Sequence, residues 1–363
     1  MHEGTTPHPR TTARRTAHRA FIAGLAALWL MAAAVQPART QPAAPDTSYR
    51  VYTGEGTPAT LGDVVAAMAR ADVVFIGETH DDPTAHALQY ELLRTAHRQY
   101  GTADTTERAV AVSLEMLARD VQPILDEYLA GLITERHFVA SSRLWSNYAE
   151  AYRPLVEYAK ANHVAVLAAN APRRYVNRVA RLGPEALDAL PSPARQWLPP
   201  LPPPDPSEAY RAKWMARMHA GMPPADSTAD SPHGAERDTT AAGSDQAPGA
   251  HHGAAMGHLL QAQALWDATM AHTLARHLMN TPGALVLHVT GSFHVSEGTG
   301  TPEQLAHYRP SARPLIVTIR PSDDVARFDP DAHAGLGDFV VLTDDGRVPE
   351  QPPASGTTPG TGP

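Results

Sequence analysis

The run Ala71-Asp-Val-Val-Phe-Ile-Gly77 is short, almost entirely apolar and followed at once by Glu78-Thr79-His80. Its valine, isoleucine and phenylalanine residues are typical of a strand that is buried on both faces. Four other runs have the same character, at 109–114, 164–169, 284–290 and 314–320. Strands buried on both faces belong to parallel sheets covered by helices. The five runs therefore predict a mostly parallel central sheet.

Longer segments with helical periodicity lie between these strands, at about 84–98, 121–132, 149–162 and 259–279. Strands that alternate with helices are typical of an α/β fold. A last apolar run, at 339–342, is expected to add an edge strand. We therefore predict an α/β fold whose mostly parallel sheet is covered by helices on both faces, with a low-complexity insertion.

Proline and glycine mark the boundaries of this domain. The chain of 363 residues contains 34 Pro and 25 Gly, concentrated at 184–206, 221–257 and 348–363. The last two regions have few large apolar residues and cannot form a core, so both are expected to be disordered. The sequence predicts one α/β domain over 49–345, a disordered insertion at about 220–257 and a disordered tail at 346–363.

The first forty residues have the pattern of an export signal. Four arginines precede an apolar run from Ala20 to Val35, and small residues end that run. This order is typical of a cleaved signal peptide, which predicts a periplasmic or secreted protein. Residues 1–40 hold five Arg and one Glu, so their removal takes the net charge from −8 to about −12. An acidic protein of this kind is not expected to bind nucleic acid.

The chain contains no cysteine. Disulfides, cysteine-ligated zinc, iron–sulfur clusters and thiol nucleophiles are therefore excluded. Attachment of a lipid through an N-terminal cysteine is excluded as well. Any metal must be held by nitrogen, oxygen or thioether ligands.

Polar side chains follow the predicted strands at the points where the strands end. Glu78 and His80 follow the first, Glu115 the second, Arg173 and Arg174 come shortly after the third, and His294 follows the fourth. Ligands of open parallel sheets bind outside the carboxyl ends of the strands. We therefore expect these side chains to meet at one rim.

Two Gly-x-x-His motifs, ending in His80 and His294, are the most specific of these features. Together with Glu115 they form a set of two histidines and one carboxylate, which suits a divalent ion such as Mn, Co or Zn. Glu78 could then serve as a general base on bound water. One hypothesis is therefore a metal-dependent hydrolase with His80, Glu115 and His294 as ligands.

The same residues resemble a known family. The motifs that carry the resemblance are Phe75-Ile-Gly-Glu-Thr-His-Asp-Asp-Pro-Thr-Ala-His86, Leu114-Glu-Met116 with Gln122, Ala169-Asn-Ala-Pro-Arg-Arg174, Ala262-Gln-Ala-Leu-Trp-Asp-Ala-Thr-Met-Ala271 and the segment 291–295. They are similar to the ChaN-like haem-binding proteins, which belong to a superfamily with the Tiki/TraB metalloproteases and the erythromycin esterases. The resemblance covers about 70–310, without the insertion.

The resemblance implies a secreted or surface-attached bacterial protein that binds haem at or near a dimer interface and takes part in iron acquisition. The Tiki branch uses similar Gly-x-x-His motifs and an acidic residue in a metal-dependent protease, and those positions match His80, His294 and Glu115. ChaN-type proteins are often lipoproteins. This chain departs from that pattern, because it has no cysteine to which a lipid could be attached. The expected partners are haem or another porphyrin, a second copy bridged by haem, and an outer-membrane or ABC-type haem transporter.

Haem requires an axial ligand, an apolar wall and cations for its propionates. Tyr148 and Tyr152 are four residues apart, which in an α-helix places them on one face beside Trp145. We expect one of these tyrosines to ligate iron, with His80 or His294 nearby. Arg173 and Arg174 are expected to hold the propionates. The alternative is that the aromatic residues pack the helix on the sheet and that the arginines are solvated.

Two further features leave other interpretations open. Asp267, in the motif with Trp266 and Met270, is expected to orient a histidine of the rim. Methionine and histidine residues flank or occupy the insertion, and these ligand types suit copper: Met215, Met218, His219, Met222, His233, His251, His252, Met256 and His258. Their spacing is irregular, so a solvated linker is the competing interpretation of a copper-binding segment.

Overall fold

A computed structural model describes residues 48–101, 108–220 and 248–344 of the chain, with the backbone alone for 248–254. The predicted export segment (1–40) and the tail (346–363) lie outside the described residues, as does the part of the predicted insertion at 221–247.

One sheet of eight strands forms the centre of the molecule. The strands are β1 (Tyr49–Thr53), β2 (Pro58–Ala59), β3 (Val73–Glu78), β4 (Val110–Ala118), β5 (Ala165–Asn170), β6 (Leu285–Gly291), β7 (Pro314–Ser322) and β8 (Phe339–Asp344). Their order across the sheet is β2-β1-β8-β7-β3-β6-β4-β5. The six strands from β8 to β5 are parallel, whereas β1 runs antiparallel to β8 and β2.

The α/β class and the mostly parallel sheet are confirmed. The last predicted strand, however, is not at an edge, because β1 pairs with β8 along its whole length, from Tyr49 opposite Thr343 to Thr53 opposite Phe339. Both β1 and the two-residue β2 are too short and too polar to be found from an apolar run.

Eleven α-helices connect the strands within the described part of the chain. They are α1 (Leu61–Ala67), α2 (Pro83–Ala96), α3 (Gln122–Leu129), α4 (Glu135–Ser141), α5 (Arg153–Ala161), α6 (Arg173–Leu182), α7 (Ser192–Arg195), α8 (Glu208–His219), α9 (Pro248–Asn280), α10 (Thr301–Tyr308) and α11 (Pro330–His333). Short 3-10 turns follow β4 (Arg119–Val121) and β6 (Ser292–His294), and a π-helix (Tyr148–Tyr152) precedes α5. None of the described helices has the length and apolar character needed to cross a membrane.

Helix α9 extends into the segment where we predict the insertion. It begins at Pro248, so its first residues lie in the segment that we predicted to be disordered. Extending an existing helix costs much less than starting a new one. The alanines at 254 and 255, which favour helix, therefore continue α9 beyond the predicted start at residue 259.

The alternating side chains of β3 explain why its sequence is apolar throughout. Val74 and Ile76 belong to a core that includes residues of α1, α2 and α5. Val73 and Phe75 belong to a second core on the opposite face, with Leu274 of α9. Each face of the strand is therefore covered, as parallel sheets require. Parallel pairing of β3, β6 and β4 places their carboxyl ends side by side.

Candidate functional site

Three strand ends form the floor of the candidate site. Strand β6 lies between β3 and β4, so Gly291 at its end separates Glu78 of β3 from Glu115 of β4. A Cβ atom on Gly291 would lie 2.9 Å from both Cε1 and Nε2 of His80 and 3.8 Å from Oε2 of Glu115. The absence of a side chain on Gly291 therefore allows His80 and Glu115 to approach each other across β6.

Glu78 anchors one half of the site and is buried. Its Oε1 accepts hydrogen bonds from Nδ1 of His80 at 2.9 Å and from the Tyr152 hydroxyl at 2.6 Å. Its Oε2 accepts a short hydrogen bond from Gln89 and lies 3.4 Å from Nε2 of His86. Burial, together with the neighbouring Glu78 carboxylate, raises the pKa of Tyr152 well above its usual value. Tyr152 is thus held as a neutral donor that fixes Glu78.

Glu115 and His294 form the other half. Oε2 of Glu115 accepts hydrogen bonds from the Thr290 hydroxyl and, at 2.7 Å, from the backbone N–H of Gly291, and Oε1 lies 3.4 Å from Nε2 of His294. Burial opposes ionisation of Glu115, but His294 and these hydrogen bonds outweigh it and hold the pKa of Glu115 below its usual range. Burial alone would lower the pKa of His294, yet Asp267 and Glu115 raise it to about 10. This half is a buried ion pair.

Asp267 supports His294 from α9, as the sequence predicts. Its Oδ1 accepts a hydrogen bond from Nδ1 of His294 at 2.8 Å and another from the Thr301 hydroxyl, also at 2.8 Å. Its Oδ2 accepts from the hydroxyl of Tyr210 on α8. Tyr210 was not predicted from the sequence, because α8 carries no strong periodic pattern and the tyrosine is 57 positions from its partner. The two site histidines therefore share one arrangement, in which Nδ1 donates to a carboxylate.

The three predicted metal ligands lie at one rim, and polar atoms of His294 and Glu115 are engaged by neighbouring groups of the protein. Nε2 of His294 lies 3.2 Å from the Gln263 amide, and Oε2 of Glu115 is occupied by Thr290 and Gly291. Within residues 48–101, 108–220 and 248–344, no group of three His, Cys, Asp or Glu side chains is arranged to hold a metal ion.

The structure separates the two tyrosines that were expected to share a face. Residues 148–152 form a π-helix, and α5 begins only at Arg153 with Pro154 in its first turn. Spacing rules for an α-helix therefore do not apply across this segment. Tyr152 contacts Glu78, whereas Tyr148 packs with its ring 6.1 Å from that of Phe138. The buried Tyr148 hydroxyl has no hydrogen-bond partner among the described residues, whereas the Tyr152 hydroxyl bonds to Glu78.

His80 lies at the outer edge of the site. Its side chain is 18% exposed, whereas those of Glu78, Glu115 and His294 are fully buried. The ring of Trp145 meets the His80 ring edge-on, with 4.9 Å between centroids, and is half-buried itself. His80 and Trp145 together form the accessible surface of the cluster.

Arg173 and Arg174 are exposed at the start of α6, after β5. Arg174 forms an ion pair with Asp120 and lies over the Tyr175 ring at 4.4 Å. Asp120 also pairs with Arg143 at 2.8 Å. The role of the two arginines in holding propionates stays a prediction.

The methionine and histidine residues near the insertion are only partly described. Met218 on α8 and Met256 on α9 pack against a small apolar cluster that contains Trp214, Leu260 and Phe293. Apolar packing is therefore sufficient to explain why Met218 and Met256 are present. Met222 and His233 lie outside the described residues, and only the backbone is described for His251 and His252.

Solved structures of other proteins are similar to this chain. The solved structure of ChaN of Campylobacter jejuni, whose title describes cofacial haem binding, is 16% identical, covers 82% of this chain and 98% of its own, and superposes with a TM-score of 0.55. A protein from Bacillus cereus is 11% identical, covers 82% of this chain and 95% of its own, and has a TM-score of 0.39. Comparison with curated proteins gives no match.

The likeness to the Campylobacter protein shows a shared fold. The family model described as haem-binding uptake, Tiki superfamily, ChaN matches residues 64–305, which is more than half of the chain. That range includes Glu78, His80, Glu115, Asp267 and His294. The chain therefore belongs to the ChaN family of haem-binding uptake proteins within the Tiki superfamily.

Proposed function

We propose that this protein is an exported haem-binding protein that captures haem or another iron porphyrin for uptake and does not catalyse a reaction. The observation that carries the proposal is the family match over 64–305, which spans every residue of the buried cluster. Haem, when bound, would be the cargo of the protein.

We propose His80 as the residue that ligates the iron. It is a common type of haem ligand, and it is the member of the Glu78–His80–Glu115–His294 cluster that retains solvent contact. The hydrogen bond from its Nδ1 to Glu78 fixes the ring and increases the basicity of Nε2, as carboxylate partners do for ligating histidines. Tyr152 is fully buried and donates to Glu78, so we assign it a positioning role.

The half-buried Trp145 beside His80 offers an apolar edge against which a porphyrin could lie. Arg173 and Arg174 remain the proposed partners of the propionates, because they are exposed and follow the end of β5. The buried pair of Glu115 and His294 would then stabilise the rim without contacting the ligand.

A hemin titration tests the proposal. Purified protein should shift the Soret band, and His80→Ala should weaken hemin affinity at least about tenfold, the loss expected for one ligand bond. His307→Ala, which removes an exposed histidine of α10, is the matched control and should leave the affinity unchanged. Tyr152→Phe should weaken hemin binding a few-fold, because Glu78, which holds His80, loses the hydrogen bond from the Tyr152 hydroxyl. Tyr148→Phe should leave the hemin affinity unchanged.

An unchanged spectrum at micromolar protein would contradict haem binding. Stoichiometric Mn, Co or Zn in protein purified without chelator, lost in His80→Ala, would instead support the metal-dependent hydrolase. Loss of copper binding on deletion of 222–257 would support the copper hypothesis.

Export and assembly form the remaining parts of the proposal. The pattern of residues 1–40 supports cleavage of a signal peptide and release into the periplasm or medium. The intact mass of protein recovered from those fractions should therefore lack this segment. Size-exclusion chromatography with and without hemin tests for a haem-bridged dimer, and transfer of hemin to a transporter of the outer-membrane or ABC type would identify the next carrier.

A further inference from the structure

A second polar cleft lies beside β5 at the edge of the sheet. It consists of two adjacent hollows of about 450 Å³ and about 270 Å³ that share Arg276 of α9. Side chains of α9, the segment after α7 and the turn after β4 form its walls. Its lining includes Arg119, Leu167, Trp197, Leu198, His272 and Arg276.

Arg119 is the unusual member of this cleft. It is only 6% exposed, yet its guanidinium bonds only to neutral groups among the described residues. It lies 3.3 Å from the carbonyl of Leu198, 3.5 Å from that of Gln196 and 3.4 Å from Nδ1 of His272. These distances are at the long end of the hydrogen-bond range. Among the described residues, no carboxylate lies within ion-pair distance of Arg119 or Arg276.

Among the described residues, the charge that acts on buried Arg119 is another positive one, that of Arg276. Burial lowers the pKa of Arg119 to about 10, and the neighbouring Arg276 acts in the same direction. Burial likewise lowers the pKa of His272 to about 4, with Arg119 and Arg276 both contributing. Other arginines of the molecule form ion pairs, for example Arg153 with Glu135 and Arg313 with Asp72. A buried cation without a counter-charge is costly, so its retention points to an anion supplied from outside.

We propose that this cleft binds an organic oxyanion, a carboxylate or phosphate group on a small molecule with an apolar body. The planar guanidinium of Arg119 suits two parallel hydrogen bonds to such a group, and the exposed Arg276 stands at the shared wall of the two hollows. Leu167, Trp197 and Leu198 provide apolar surface for the rest of the ligand. The volume lies in the range of small-molecule sites. Its lining residues do not include His80, Trp145, Arg173 or Arg174.

Calorimetric titration of the full chain without haem tests the proposal. Benzoate is the carboxylate probe, inorganic phosphate is the phosphate probe, and benzamide is the uncharged analogue of benzoate. We expect benzoate or phosphate to bind and benzamide not to bind. Arg276→Gln should weaken the binding about tenfold, because it removes a charge-assisted contact. Arg276 is exposed, so this change should not affect folding.

Arg181→Gln is the matched control, since Arg181 is an exposed arginine on α6 that bonds only to Asn177 among the described side chains. The His272 ring signals, assigned by His272→Gln, should shift in NMR spectra on addition of the bound probe. Preference for benzoate over phosphate, or the reverse, identifies the class of ligand. Absence of binding of either probe at about 10 mM, or binding that Arg276→Gln leaves unchanged, would overturn the proposal.

Discussion

Helix α9 takes part in two buried polar regions that are built on opposite principles. Asp267 belongs to the rim cluster, where His294 lies between the carboxylates of Asp267 and Glu115. His272 and Arg276, farther along the same helix, belong to the cleft around Arg119, where the charges acting on Arg119 and His272 within the described part of the chain are positive. Charges are thus neutralised internally in the first region and left uncompensated in the second.

This difference indicates what each region contributes. Ion pairs that are buried and hydrogen-bonded fix side-chain orientation, and breaking one partner is strongly destabilising. Uncompensated buried cations contribute no such stability, so their presence is better explained by a ligand. The rim cluster should therefore respond to mutation through stability, and the cleft should respond through binding.

Removal of the Asp267 charge should have the largest effect on stability. Asp267→Asn leaves His294 without its main counter-charge and disturbs the hydrogen bonds from Tyr210 and Thr301. We expect the free energy of unfolding to fall by about 3–5 kcal/mol, measured by urea denaturation. Asp323→Asn, at an exposed position, is the control and should change it by less than about 0.5 kcal/mol. Equal stabilities of the two variants would contradict the internal neutralisation of the rim.

A change of pH should have the second-largest effect on the free energy of unfolding. The pKa of His294 is raised from 6.5 to about 10, so its contribution is fully present below pH 6.5 and is lost as pH rises toward 10. Between pH 6 and pH 9 this amounts to at most about 3 kcal/mol, since one pKa unit corresponds to about 1.4 kcal/mol. The pKa of Glu115 is lowered in the folded protein, so Glu115 stabilises the fold above its unfolded pKa. This stabilisation is lost in acid as the carboxylate becomes protonated.

Urea midpoints at pH 6 and pH 9 measure this effect. The variant His294→Gln should remove most of the decline between the two values, because it has no imidazolium to deprotonate. An identical decline in the variant would show that other groups are responsible.

Gly291→Ala should separate binding from stability. The added Cβ would lie 2.9 Å from the His80 ring, which can rotate away because it is the end of a side chain. We expect a loss of about 1 kcal/mol in the free energy of unfolding and a loss of about tenfold in hemin affinity. Gly257→Ala is the matched control, since nothing lies within 4 Å of a Cβ at that position. Unchanged hemin affinity in Gly291→Ala would place the ligand away from His80.

The contrast between the two regions also explains what could be predicted from the sequence. Residues at the ends of buried strands were predictable, because apolar runs locate the strands and parallel strands end at one rim. Asp267 could be assigned through its motif. The contact of Tyr210 with Asp267 joins positions 57 residues apart, and that of Arg119 with His272 joins positions 153 residues apart. The periodicity of a sequence does not predict contacts between such distant positions. The separation of Tyr148 from Tyr152 depends on a π-helix, which α-helical spacing does not reveal.

Substitution of Arg174 should have the smallest effect on stability. Its side chain is 48% exposed, and its partner Asp120 retains the ion pair with Arg143 at 2.8 Å. Exposed ion pairs contribute little, so Arg174→Gln should change the free energy of unfolding by less than about 0.5 kcal/mol. A fall in hemin affinity of about fivefold in the same variant would then arise from the lost propionate contact and not from misfolding. Unchanged affinity would contradict that contact and leave Asp120 as the functional partner of Arg174.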